Sequence, residues 1–246
     1  MSSRLVTFVA RPLQDWLDAL DACVRGPRPA GIVGGVMSLV LTWWIYAPLH
    51  ELAHAWGCVL TGGTVTRLEI GEIYGAALLA KIFPYVTVGS EYAGRLSGFD
   101  TRGSDVTYLA TCALPFVMTV LVGVPLLHAV PRARGWRRGV MLGAALPIAY
   151  APFVSLPGDY YEMGSILVSR IVAARIPGFP LDRWRSDDLV KLVGSLAVDG
   201  RPADVAGVVA SLLLGAILAW ATYWAGVLVS RALTRSETSP PSRGEG

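Results

Sequence analysis

The chain has 246 residues, of which 53% are hydrophobic and only 16% charged, against roughly 25% charged in an ordinary soluble domain. With a mean hydropathy of +0.51, that balance argues against a soluble enzyme and for a membrane protein. A formal net charge of +3, spread along the chain, gives no case for a nucleic-acid partner. Cys23, Cys58 and Cys112 are odd in number and widely spaced, and give neither a disulfide framework nor a zinc knuckle.

Residues 1–30 mix Arg4, Arg11, Arg25 and Arg28 with Asp15, Asp18 and Asp21 and hold no continuous apolar core, so no cleavable signal peptide is expected. Within them, "LVTFVARPLQDWLDALDACV" alternates apolar and polar residues near helical spacing. It predicts an amphipathic helix on the membrane surface, or else a cytosolic cap helix. Residues 31–60 form the first spanning candidate, longer than the ~20 residues a bilayer needs. Residues 64–98 differ: "TVTRLEI" and "YVTVGSEYAGRL" are rich in β-branched and aromatic residues with interspersed glycines, which predicts short strands and turns in an insert over 64–100. Further spans are expected at 106–130, 140–156 and 205–229, and "DYYEMGSILVSRIVAARI" adds an embedded helix of open depth. The basic loop "PRARGWRR" prefers the cytoplasm, which would put the N-terminus there too. A surface helix is expected in "DRWRSDDLVKLVGSL", and residues 234–246 read as a disordered tail.

The expected fold is therefore membrane α-helical. It is a polytopic bundle of four to five transmembrane helices over residues 31–233, with a small β-hairpin or re-entrant segment after the first span. The expected location is multi-pass in a bacterial cytoplasmic membrane.

The first span carries "HELAH". His50 and His54 stand four apart, so on a helix they share one face. Two imidazoles so placed can hold one Zn²⁺, and Glu51, one step round, stands beside the metal as a general base. Two of the chain's three histidines lie in this motif, inside an apolar run where ionisable groups are costly and a functional role is the default. A catalytic zinc usually has a third protein ligand. Asp159 in "LPGDYYEMGS" is the leading candidate, because Pro157 and Gly158 break the helix and free a carboxylate to turn inward. Glu162 is the reserve; His128 and Cys58 are weaker alternatives.

These residues resemble the site-2 protease family of intramembrane zinc metalloproteases. Three features carry the resemblance: "HELAH" in a span, the Gly-plus-β segment "LTGGTVTRLEIG" after it, and "LPGDYYEMGS" about a hundred residues on. It implies His50, His54 and Asp159 as zinc ligands and Glu51 as general base. It also implies a membrane-anchored, single-spanning protein as substrate. Two departures stand out: Gly158 precedes Asp159 where the family places Gly after the Asp, and the chain holds no Asn, which family members commonly place ahead of it. An unwound substrate needs main-chain partners in lipid, and the strand segment is expected to supply them through Val86 and Val88. The competing readings are a membrane zinc hydrolase acting on a lipid or small amide, and a non-catalytic, helix-binding or metal-handling protein.

Overall fold

The computed structural model describes residues 3–25, 29–186, 192–194, 196 and 200–238. Helix α1 (Ser3–Val24) is followed by the 32-residue α2 (Pro29–Leu60). The sheet segment comes next: β1 (Thr64–Ile70), helix α3 (Ala76–Ile82), β2 (Val86–Val88) and β3 (Gly94–Asp100). Helix α4 (Asp105–Arg132) follows. Its start is capped by Ser104, whose hydroxyl accepts from the Thr107 amide, and it passes through a 3-10 turn at Leu114–Phe116 and a π segment at Thr119–Gly123. Then come α5 (Arg137–Ala149), α6 (Tyr161–Ala173) and α7 (Pro202–Thr238).

Among the described residues, three helices are long and apolar enough to cross a bilayer: Pro29–Leu60, Asp105–Arg132 and Pro202–Arg235. That is fewer than the four to five expected. The run read as a span over 140–156 is broken at Tyr150 (φ −100°, ψ 3°) into α5 and the single turn Ala151–Val154. The embedded helix after it shortens to α6. Each of these helices has 13 residues, about 20 Å at 1.5 Å per residue, against ~30 Å of hydrocarbon. Pro152 and Pro157 lie in the interrupted stretch, where each removes a helical donor. The tail boundary also moves: α7 continues to Thr238, and residues 239–246 lie outside the described residues. Of the helix expected over 182–196, residues 187–191 and 195 lie outside them too, and residues 182–186 form turns and irregular chain instead of helix.

Glycine lets the helices approach closely. A methyl group on Gly139 would strike the Gly31 carbonyl, and one on Gly143 the Gly35 carbonyl. The α2–α5 contact is thus a pair of facing small-xxx-small stripes. Gly57 meets the backbone of Ala110 on α4 in the same way.

The insert is not a simple hairpin. Its three strands have the order β2-β1-β3, with β1 parallel to β2 and antiparallel to β3, and α3 makes the crossover between β1 and β2. β1 runs back along α2: it starts just past the end of that helix, and beyond its far end the Trp44 indole donates to the Ile73 carbonyl. The sheet packs on α2 through Leu52, Ala55, Leu68, Ile70 and Val86. That leaves the His50 face of α2 for another surface.

α1 lies lengthwise along α5. The Pro12 carbonyl accepts from Tyr150 Oη at 2.7 Å and the Ala22 carbonyl from Arg138 at 2.8 Å. Pro12 has no amide to offer the Phe8 carbonyl, and the Trp224 indole donates there at 3.3 Å. Asp15 is buried and takes bonds from Arg11, His128 and Tyr223. Burial alone would raise its carboxyl pKa, but His128 and Arg11 outweigh this and hold it below the ordinary range.

The helix contact generates a test. Gly143→Ala should destabilise the protein by about 1–3 kcal/mol through backbone collision. Gly31→Ala, whose methyl would meet only an ordinary contact at 3.7 Å, should be neutral or gain up to ~1 kcal/mol of helix propensity. Thermal denaturation in detergent measures both.

Candidate functional site

His50 and His54 project from one face of α2, one turn apart, with ring centroids 4.8 Å from each other. His54 is buried and His50 half-buried. Each ring is anchored through Nδ1: His54 lies 2.8 Å from the Thr111 carbonyl of α4, and His50 lies 3.1 Å from Tyr46 Oη, one turn back on α2. A carbonyl only accepts, so the hydrogen of a neutral His54 sits on Nδ1 and its lone pair on Nε2. Phe116 stands edge-on to His50 with centroids 5.3 Å apart.

Asp159 is brought to these Nε2 atoms by a break in the chain. Leu156–Tyr160 forms a π turn in which Gly158 (φ −111°, ψ −107°) leaves helical geometry. The Asp159 oxygens then lie 3.5 Å from His50 Nε2 and 3.4 Å from His54 Nε2. Both separations exceed the usual hydrogen-bond range of about 2.7–3.2 Å. They match the ~3.3–3.4 Å between two ligand atoms that share one zinc at 2.0–2.1 Å and a tetrahedral angle. Two anchored imidazoles and a carboxylate therefore fit a divalent ion as a donor set. Glu51 stands next to them: its donor atom and those of the two histidines lie within 4.8 Å of one another. Gly94 of β3 packs directly on Glu51, where a Cβ would collide with the side chain.

These groups open into a cavity of about 930 Å³, lined by His50, Glu51, His54, Asp159, Glu162 and the start of β3 among others. Glu162 is held one turn beyond Asp159 by Tyr108 Oη, which donates at 2.7 Å, and by Cys112 Sγ at 3.4 Å. Cys112, Asp159 and Glu162 form a second donor group within 4.8 Å.

Other sequence-derived candidates lie elsewhere. His128 is with Asp15 and Ser230, at 2.9 and 3.0 Å, and is no partner of the motif. Buried Cys58 faces the Thr64 and Asp100 carbonyls at 3.7 and 3.9 Å. Val86 and Val88 do not line the cavity. β2 is on the far side of β1, with Val86 in the sheet's apolar core and Val88 exposed. The strand that lines the cavity is β3, with Tyr92 and Ala93 just before it. It had no separate signal because two strands in one Gly-rich insert look alike until their pairing is known. Sequence reasoning missed Tyr46, although its place four residues before His50 on the same face was a usable signal; Thr111, Cys112 and Tyr108 come from a remote segment and gave none.

The chain matches no protein-family model, no curated protein and no solved structure.

Proposed function

We propose that the protein is an intramembrane zinc endopeptidase of the site-2 protease type, hydrolysing a peptide bond in a membrane-anchored protein. One observation carries the reading: two histidines four apart, each tied back through Nδ1, direct their Nε2 atoms at the oxygens of one aspartate, with a glutamate alongside.

His50, His54 and Asp159 would hold the metal. A bound zinc would polarise the scissile carbonyl and lower the pKa of a water toward ~7. Glu51 accepts the proton from the attacking water at its carboxylate and returns it to the amide nitrogen as the C–N bond breaks. Phe116 and the packed helices limit bulk water at His50, while the cavity gives the reacting water a place to stand. Holding a metal requires no general base, so a carboxylate placed beside the ligands favours catalysis over storage.

A helical substrate has its carbonyls bonded internally and must unwind to be cut. Among the described residues β3 is paired on its β1 side alone, and it runs past Glu51. Its other edge can bond an extended peptide. Gly94 supports this role, since a side chain there would occupy the space beside Glu51. Lipid or small-amide hydrolysis gives the strand edge no such part.

Two tests follow. Glu51→Gln should retain stoichiometric zinc and lose about 10²–10⁴-fold in peptide cleavage; undiminished cleavage would mean the glutamate is not the base. Proline placed in turn at Arg95, Leu96 and Ser97 should cut turnover where the lost N–H faces away from β1, with zinc content unchanged. Val88→Pro, on the remote strand, should leave cleavage close to wild type.

A further inference from the structure

At the end of the bundle where α2 and α5 begin and α4 and α7 finish, the chain gathers arginines. Arg132 ends α4, Arg134 lies in the α4–α5 connection, Arg137 opens α5 and Arg231 lies near the end of α7; all four are exposed. Contacts fix their common location. Arg132 donates to the His128 carbonyl at 3.1 Å, and His128 in turn meets Ser230, the neighbour of Arg231. Arg138 draws in the end of α1 through the Ala22 carbonyl.

Among the described residues these charges meet little compensation. Among the described residues, none of the four guanidinium groups meets a carboxylate: Arg132 bonds a carbonyl, and Arg231 lies 5.8 Å over the Trp224 ring. α5 opens on Arg137 and Arg138 with no acid in its first turn. The acids of nearby α1 are largely engaged. Asp15 is buried among Arg11, His128 and Tyr223, and Asp21 pairs with Arg25 at 2.6 Å; Asp18 alone remains on that stretch. Trp136 projects from the same connection, 54% exposed.

This surface lies toward one end of the three bilayer-length helices, where the phosphates of one leaflet would stand if they span it. Arginine forks match phosphate oxygens, and an exposed indole suits the headgroup layer. We infer that this collar binds the phosphodiester headgroups of anionic phospholipids. The inference is independent of the zinc chemistry at the other end of α2. It gives one end of the protein a lipid requirement and a preference for an anionic leaflet.

The test uses full-length protein in vesicles of equal phosphatidylglycerol and phosphatidylcholine, extracted gently and weighed by native mass spectrometry. Wild type should retain phosphatidylglycerol in preference. Each arginine replaced by glutamine among Arg132, Arg134, Arg137 and Arg231 should lower that preference by up to ~5-fold, while the matching lysine variants keep most of it. Arg67→Gln, at the opposite end, should change nothing. Single variants at Arg134 and Arg137, whose guanidinium groups meet no carboxylate among the described residues, keep the test valid if the fourfold variant does not fold. Equal retention of both lipids by wild type would overturn the inference, as would a preference surviving all four replacements. Displacement of the lipid by 10 mM inorganic phosphate, a ~10 mM probe in the range of weak ion sites, would also overturn it by marking a small-anion site.

Discussion

Asp159 reaches the two imidazoles because the chain stops being a helix between Ser155 and Tyr160. A regular helix through that stretch would fix the carboxylate's direction by the phase of its neighbours. The π turn and the non-helical Gly158 reset that phase. Everything at the site depends on this delivery. The histidines are held from behind by Tyr46 and Thr111, but an imidazole pair alone is an incomplete donor set. The break also explains the order of residues: with Gly158 ahead of Asp159, the backbone is freed just before the residue that must turn.

A second constraint is close packing. The α2–α5 and α2–α4 contacts bring backbones together at glycine, which holds α2 against α5 on one stretch and against α4 at Gly57. The sheet takes a further face of α2 through Leu52 and Ala55. With those faces occupied, His50, Glu51 and His54 are left to the cavity. One helix thus supplies the motif, the floor of the sheet and the seam of the bundle. The strand beside Glu51 is held at the right level because β1 runs back along that same helix.

The motif and its partner were legible in the sequence because their signals are local. Four-residue spacing puts His50 and His54 on one face, and Pro157-Gly158 marks a break just before Asp159. The apolar runs of α2, α4 and α7 were equally plain. The segment over 140–156 reads as a span because composition reports apolarity and not continuity. Its prolines and the turn at Tyr150 divide it into pieces too short to cross. Val86 and Val88 have β character, yet strand order is set by pairing between distant residues and puts them away from the cavity. The Tyr108–Cys112–Glu162 group was invisible for the same reason, since its members lie on two helices joined only in space.

On the proposed function, two imidazoles and a carboxylate from a distant helix break hold one metal ion. The most direct measurement is the zinc content of purified wild type and of Asp159→Ala after equilibration with a zinc buffer. About one tightly held zinc per chain in wild type, lost or weakened by orders of magnitude in Asp159→Ala, is the result expected of a three-ligand site. Wild-type protein that takes up no zinc, or an Asp159→Ala variant that holds it as tightly, would contradict the account.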